Sequence, residues 1–194
     1  MSKYTDKQLV IFETALELFR ERGMYATPMS QLAEAAGVAT GTIYHYFSSK
    51  DELIVEMFRH YRAQVVHIVK RALEAEGSHE ERFMRMWMAV TEFYLAHPKL
   101  LVFFEQFTNS PYYGKVDFRA DEDRPLSQFL DDAIRRGLVR CVDTQLLITL
   151  IASSCIAAAK AVKMNPDIQR EGGHMQIAGM IWRGLSTSQK PLAI

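Results

Sequence analysis

The chain has 194 residues, of which 48% are hydrophobic and 24% are charged. This balance is typical of a folded globular protein, so it excludes a disordered or fibrous chain and allows one or two domains with a sizeable core. The 23 basic and 23 acidic residues cancel, so the overall charge neither suggests nor requires a nucleic-acid partner.

Cysteine content and hydropathy indicate the compartment. The two cysteines, Cys141 and Cys155, fit a reducing environment, because a secreted chain of this size more often carries a framework of disulfides. The longest apolar passage, residues 146–162, contains Lys160 and falls short of the roughly 20 residues that span a bilayer. We therefore expect a cytoplasmic protein that does not contact a membrane.

The first predicted element is a helix that begins at Thr5 or Asp6 and ends at Gly23. A threonine or aspartate caps a helix start well, and a glycine readily ends one. Apolar residues recur at helical spacing along one side of this segment, at Ile11, Phe12, Ala15, Leu18 and Phe19. We expect this helix to support the two that follow.

The next stretch predicts two short helices that meet at Gly37. Thr27 is placed to cap the first of them, with Pro28 in the first turn, where a missing N–H costs nothing. Small and apolar residues share one face of that helix, at Met29, Leu32, Ala33 and Ala36. The second helix, residues 40–47, turns Ile43 and Phe47 inward and keeps polar and aromatic side chains outward. This arrangement is typical of a helix-turn-helix that reads DNA.

Residues 37–50, GVATGTIYHYFSSK, resemble the DNA-binding signature of the TetR family of bacterial transcriptional regulators. The resemblance is close over residues 5–60 and only general beyond them. It implies an all-α fold, in which an N-terminal three-helix helix-turn-helix DNA-binding domain precedes a larger helical domain for effector binding and dimerisation. It also implies a ligand-responsive repressor that binds a palindromic operator on double-stranded DNA as a homodimer.

The resemblance further implies which residues contact DNA. At Gly41 the backbone can approach closely, because no side chain intervenes. The position of Thr27 often contacts phosphate in the family, although a capping role explains this threonine equally well. The other implied contacts are to bases or the adjacent backbone at Thr40, Thr42, Tyr44 and His45, and to phosphates at Tyr46 and Lys50. Ser30 and Thr40 stand where many members have a basic residue, which implies a shallower salt dependence.

A long helix, residues 50–75, is predicted next, with a capping box in Ser49-Lys50-Asp51-Glu52. Gly77 and Ser78 then break the helical pattern. The predicted organisation is a DNA-binding domain over 1–48, a connecting helix over 49–76 and a ligand-binding and dimerisation domain over 77–194. The connecting helix is the expected lever between the two activities.

The remaining chain predicts further helices over 81–96, 98–107, 124–136, 142–162 and 174–185, with a loop over 109–123. No strand-like alternation of useful length and no internal repeat occurs in the sequence. The helices over 142–162 and 174–185 are rich in small and apolar residues, so we expect them to pair with their copies in a dimer. A dimer lets two short recognition helices read a palindrome.

Aromatic residues and a cysteine in the C-terminal part are candidates to line a pocket for an unknown apolar or amphipathic small molecule. They are Phe83, Trp87, Phe104, Phe107, Tyr112 and Cys155. Ordinary core packing explains each of them individually at least as well, because aromatic residues at helical spacing usually fill cores.

Three other classes of function fit these residues less well. An enzyme is not expected, and no catalytic residue, metal or cofactor is predicted: the six histidines are scattered, and His60 and His67 lack the spacing of a helical zinc site. A thiol-based redox sensor would need a cation or base near Cys155, which its Ser/Ala-rich surroundings do not supply. A helical protein-binding adaptor would leave the outward face of residues 40–46 unexplained.

Overall fold

The computed structural model describes residues 3–117 and 124–187, and all of the regular elements within them are helical. Besides a short 3-10 helix at Tyr113–Lys115, the described residues form α1 (Asp6–Arg22), α2 (Met29–Ala35), α3 (Thr40–Tyr46), α4 (Lys50–Glu74), α5 (His79–Ala96), α6 (Pro98–Thr108), α7 (Pro125–Arg135), α8 (Thr144–Met164), α9 (Asp167–Arg170) and α10 (Gly173–Leu185). The predicted all-α fold class is confirmed.

The start and the end of α1 follow the sequence signals. Gln8 N–H donates to the Thr5 hydroxyl at 3.4 Å, and the Gln8 side-chain oxygen accepts from Thr5 N–H at 3.0 Å, which completes a capping box. At the other end Gly23 adopts a φ of 85°, a backbone conformation that favours glycine. The predicted limits of this helix are therefore confirmed.

Two helices begin differently from the prediction. At the start of α4, Glu52 N–H donates to the Ser49 hydroxyl at 3.1 Å, but the Glu52 carboxylate accepts from the Ser48 N–H and hydroxyl instead of from Ser49. The return bond of the predicted box is therefore shifted by one residue. Helix α5 begins at His79, two residues earlier than predicted, because Ser78 and Glu81 cap each other with bonds of 2.8–3.2 Å.

The later helices agree with the prediction apart from small shifts at their ends. Helix α8 occupies Thr144–Met164, where residues 142–162 were predicted, and the short α9 was not predicted. The predicted loop over 109–123 contains the 3-10 helix Tyr113–Lys115, and its residues 118–123 lie outside the described part of the chain.

The contacts divide the described residues into two compact units. The first unit comprises residues 3–62 and 97–117, and the second comprises residues 63–96 and 124–187. The predicted boundaries, 1–48, 49–76 and 77–194, follow expected function and remain a prediction. The contact division instead joins α6 and the 3-10 helix to the N-terminal helices.

The first unit has an aromatic core made by α1, α6 and the first turns of α4. The Phe58 and Phe107 rings stack with their centroids 3.9 Å apart, and Phe19 stacks on Phe103 at 6.4 Å. All four side chains are almost completely buried. Helices α2 and α3 add Leu32, Ile43 and Phe47 to this unit's interior, so the helix-turn-helix rests on a rigid base.

The second unit is built around α5, α8 and α10, which pack against one another, with α7 beside α8. Its centre contains Phe83 and Trp182, whose ring centroids are 5.1 Å apart. Helix α8 has 21 residues and contains an 18-residue window with a mean hydropathy of 1.7, so the predicted shortfall in length for crossing a bilayer is wrong. The core helix of a soluble protein meets the same criterion, so length and hydropathy here are weak grounds for a membrane span.

Candidate nucleic-acid interface

A glycine turn sets the angle between α2 and α3. Gly37 has a φ of 67°, and Val38 N–H donates to the Ala33 carbonyl at 3.0 Å, which closes the turn after α2. Inside the bend, Ile43 is completely buried and Phe47 is 1% exposed. Because these two side chains hold α3 from below, the opposite face of this helix is fixed outward, as the sequence predicted.

The outward face of α3 carries the predicted contact residues. Thr40, Gly41, Tyr44 and His45 are exposed, while Thr42 and Tyr46 are half-buried. The His45 and Tyr46 rings meet edge to face with their centroids 5.4 Å apart, so the two aromatic groups form one continuous surface. This set presents hydroxyl and imidazole groups, which suit base edges and phosphates.

Gly41 lies on the open side of the helix. A Cβ built at this position would meet no other heavy atom within 4 Å, so nothing in the described protein requires a glycine there. A glycine at this position would allow the backbone of α3 to come close to a DNA backbone, because no side chain intervenes. The close approach of a DNA backbone at Gly41 stays a prediction.

Thr27 departs from its predicted capping role. Its side chain is completely buried, and its hydroxyl donates to the Gly23 carbonyl at 3.0 Å. Pro28 is the residue before α2, and no side-chain hydrogen bond caps this helix. The predicted cap is therefore wrong, because the Thr27 hydroxyl donates to the carbonyl of the preceding turn. The predicted contact of Thr27 with a phosphate stays a prediction.

Lys50 lies beside the same turn. Its ammonium donates to the Tyr25 carbonyl at 2.8 Å, and the side chain is half-buried. Desolvation lowers the pKa of this ammonium, and the neighbouring Asp51 carboxylate opposes that shift. An ammonium has three N–H donors, so the bond to Tyr25 directs the group and leaves donors for a phosphate.

Sequence reasoning missed a second group of residues beside this turn. The exposed Tyr25 ring stacks on the Tyr112 ring at 5.8 Å, and the Lys115 ammonium pairs with the Asp51 carboxylate at 2.6 Å. Burial and the hydrogen bond to Asp51 raise the pKa of Tyr112 to about 12. No local pattern could have shown these contacts, because the partners are about 60 to 90 positions apart in the sequence.

The six predicted pocket residues are all buried, and the two units divide them equally. Phe83, Trp87 and Cys155 belong to the second unit, where the Trp87 N–H donates to the Ser154 hydroxyl at 2.8 Å. Phe104, Phe107 and Tyr112 belong to the first. A pocket that contains all six stays a prediction.

The chemistry of Cys155 is that of an inert core thiol. It is 1% exposed, and burial raises its pKa to about 12, so the reactive thiolate is scarce at neutral pH. The alternative of a redox sensor at Cys155 therefore lacks its nucleophile. Among residues 3–117 and 124–187, no group of three or more His, Cys, Asp or Glu side chains is arranged to hold a metal ion.

The second unit also contains a surface cleft of about 480 Å³, which includes none of the predicted pocket residues. Its lining is Lys70, Leu73, Glu74, Arg82, Pro125, Gln128, Phe129 and Asp132. The Arg82 guanidinium lies 5.3 Å from the centroid of the Phe129 ring and donates to the Leu73 carbonyl at 2.6 Å. Its lining combines the buried apolar Leu73 and Phe129 with charged side chains, which makes this cleft amphipathic.

Helices α2 and α3 meet at a glycine turn and pack on an aromatic core, and α3 presents polar and aromatic side chains to solvent. This arrangement defines the class of helix-turn-helix DNA-binding proteins. Comparison with known families agrees at both ends of the chain. Residues 11–57 match the bacterial regulatory proteins of the tetR family, and residues 79–177 match the tetracyclin repressor-like C-terminal domain. The chain belongs to the TetR family and is a DNA-binding transcriptional regulator.

Individual relatives agree with this assignment. The HTH-type transcriptional repressor KstR2 of Mycolicibacterium smegmatis is 22% identical over 185 residues, which cover 92% of this chain and 90% of that protein. A TetR family transcription regulator from Marinobacter aquaeolei VT8 has the same fold, with a TM-score of 0.78, 20% identity and coverage of 93% and 95% of the two chains. FadR of Bacillus subtilis, in a complex with stearoyl-CoA, superimposes with a TM-score of 0.65 at 17% identity and covers 94% and 99%.

Proposed function

We propose that the protein is a repressor that binds a palindromic operator as a homodimer and is released by an amphipathic small molecule. The proposal that the protein reads DNA rests on the two faces of α3: Ile43 on the inward face is completely buried, while the neighbouring Tyr44 on the outward face is 50% exposed. Bases would be read by Thr42, Tyr44 and His45, with Thr40 and the Gly41 backbone beside them, and phosphates would be held by Tyr46 and Lys50.

Selection of bound sites from random duplex DNA tests this proposal. An inverted repeat is expected, because two α3 helices related by a two-fold axis read the same half-site in opposite directions. Failure to enrich any sequence at low salt would overturn the proposal, since phosphate contacts are strongest under that condition.

The homodimer is supported by the apolar surfaces of α8 and α10. Large apolar side chains are solvent-exposed on the isolated chain at Leu146, Leu150, Met164, Met175, Ile177 and Met180. Exposed apolar groups at this density are typical of a protein interface. The proposed dimer pairs α8 and α10 with their copies.

A matched pair of variants tests the dimer. Leu150→Glu places a charge on α8 and is expected to give a monomer by light scattering at micromolar concentration. Val10→Glu changes a similarly exposed apolar residue on α1, 51% against 53% exposed, and is expected to remain a dimer. A native protein that is already a monomer, or a Leu150→Glu variant that stays a dimer, contradicts this interface.

The effector we propose is a long-chain acyl-CoA. Support comes from the relative that was solved with stearoyl-CoA and from the buried Phe83 and Trp87, which offer apolar surface to an acyl chain. Fluorescence anisotropy of the complex with labelled operator should show DNA affinity falling about 5- to 150-fold when stearoyl-CoA is added, the range of typical allosteric coupling. CoA alone and stearate alone are the controls, and unchanged affinity with stearoyl-CoA would overturn this effector class.

We also place the protein in the bacterial cytoplasm, since that is where its DNA partner lies. The relatives are bacterial transcription regulators, which supports this location. Fractionation of cells that express the full chain should recover it in the soluble fraction, and recovery with the membranes would contradict the placement.

A further inference from the structure

Helix α6 belongs to the stretch that matches the C-terminal family domain, yet its contacts place it in the unit that contains the helix-turn-helix. The side chain of Gln106 on this helix reaches the last turn of α1. Its oxygen accepts from Met24 N–H at 2.8 Å, and its N–H donates to the Phe19 carbonyl at 3.1 Å. One carboxamide therefore binds a donor and an acceptor of the same helix end.

The backbone N–H of Met24 needs a hydrogen-bond partner because it is buried. Met24 is 1% exposed, so its N–H is away from water, and an unpaired buried N–H is costly. Beyond the C-terminus of α1 the helix supplies no acceptor for that N–H, because Gly23, with its φ of 85°, turns the chain away. The Gln106 oxygen takes the place of the missing helical carbonyl.

The turn held by Gln106 leads directly to the DNA-binding surface. The carbonyl of Tyr25, one residue after Met24, accepts from the Lys50 ammonium at 2.8 Å. The Thr27 hydroxyl donates back to the Gly23 carbonyl at 3.0 Å and fixes the approach to α2. A change in the position of Met24 would therefore displace Lys50, a proposed phosphate ligand, and also α2, the first helix of the motif.

We propose that Gln106 is a positioning residue for DNA recognition, which fixes the turn over residues 23–28 and through it the orientation of Lys50 and α2. The role needs a side chain with both an acceptor and a donor at this length. A carboxylate keeps only the acceptor, and an alkyl group of similar size keeps neither. The inference rests on the proposed reading of DNA by α3.

The experiment compares three variants of the full chain on the DNA site that the native protein selects and on a scrambled duplex of equal length. Gln106→Leu removes both bonds, and Gln106→Glu keeps the bond from Met24 N–H. Thr108→Ala is the matched control, since the Thr108 hydroxyl donates to the Phe104 and Glu105 carbonyls of its own helix. Circular dichroism and light scattering establish that each variant keeps the native helix content and mass.

We expect affinity for the selected site to fall at least about fivefold in Gln106→Leu, the lower end of typical coupling between sites, and less in Gln106→Glu. Affinity for the scrambled duplex should fall by a smaller factor, because a displaced Lys50 weakens phosphate binding on both duplexes, whereas the orientation of α2 matters only where bases are read. Hydrogen exchange should accelerate at the Met24 amide in Gln106→Leu and not in Thr108→Ala. This local signal separates positioning from a general loss of stability.

Two results would overturn the inference. One is a folded Gln106→Leu variant with native affinity for the selected site, and the other is an equal loss in Thr108→Ala. If Gln106→Leu does not fold, Gln106→Glu decides, and native affinity in that variant would overturn the role. A native protein that selects no site contradicts the proposed DNA reading itself, so the two failures are distinguishable.

Discussion

The outward face of α3 in the first unit and the interior of the second unit present their candidate functional residues in opposite ways. The candidate DNA contacts lie on the outside of α3, where Tyr44 is 50% exposed and His45 is exposed as well. The candidate pocket residues of the second unit lie inside, where Phe83 and Trp87 are completely buried. Exposed side chains that read DNA therefore need buried residues on the opposite side of their helix to hold them in place. Side chains that line a pocket are buried as well, so burial does not distinguish them from the core around them.

This difference decides how easily each function is recognised. On α3 a polar or aromatic residue that faces solvent does not pack in the core, so its presence indicates contact with an external partner. On α5 an aromatic inward residue packs whether or not a ligand ever binds. Exposure is thus informative in the first unit, and burial alone is uninformative in the second.

The largest expected effect lies beneath the DNA-binding face. Phe47→Ala removes a ring that is 1% exposed, and it should lower the free energy of unfolding by about 3–5 kcal/mol, the usual cost of this deletion in a core. Tyr44→Ala, three residues earlier, should change it by no more than about 0.5 kcal/mol. Urea unfolding followed by circular dichroism measures both, and similar losses in the two variants would break the proposed division of α3.

A second effect should appear in base preference. His45→Ala removes an exposed ring that packs edge to face on the neighbouring Tyr46, so stability should be nearly unchanged. If this histidine reads a base edge, the variant should lose about 1–3 kcal/mol of discrimination at one position of each half-site. Competition among single-base variants of the selected site measures this, and unchanged affinity and preference would remove His45 from the interface.

A smaller and uniform effect is expected at Lys50. Lys50→Met keeps the length of the side chain and removes its charge, so binding should weaken by a similar factor for all sequences. The slope of log affinity against log salt should fall by about 1, as for the loss of one phosphate contact. Affinity measured between low and moderate salt on specific and scrambled duplexes tests this, and a change in preference instead would assign Lys50 to base reading.

The smallest effect concerns the two thiols. Cys141 is exposed, whereas burial raises the pKa of the Cys155 thiol to about 12. A maleimide at neutral pH should therefore label Cys141 and leave Cys155 unmodified, with no loss of DNA affinity. Labelling of Cys155 increases only as the pH rises towards 12 or the second unit opens. Mass spectrometry of the labelled peptides measures the modification of each cysteine. Rapid labelling of Cys155 in the native protein would contradict its description as an inert core thiol.

The sequence predicted the features that depend on local spacing. The turn at Gly37, the inward Ile43 and Phe47 and the limits of α1 follow from helical periodicity and the conformational freedom of glycine, and the structure confirms them. The outward set on α3 follows from the same periodicity. These predictions needed no knowledge of distant segments.

Other features depended on partners that local spacing does not show. Thr27 has the side chain of a helix cap, but burial and the nearby Gly23 carbonyl determine its bond. Tyr112 is a predicted pocket residue, and its ring stacks on Tyr25, which is 87 positions away in the sequence. Gln106 lies among phenylalanines on α6, and only the folded chain brings it to the end of α1. Long-range packing selects among several locally acceptable roles in each of these cases.

The central claim is that the exposed face of α3 reads base sequence. Its most direct test is the ratio of affinities for the selected site and for a scrambled duplex, measured for the native protein and for a variant with Thr42→Ala, Tyr44→Ala and His45→Ala together. We expect a native ratio of about 10³ or more, as for specific DNA-binding proteins, and a ratio near 1 in the folded variant with its non-specific affinity preserved. A variant that keeps the native ratio would contradict the account, because the sequence would then be read elsewhere.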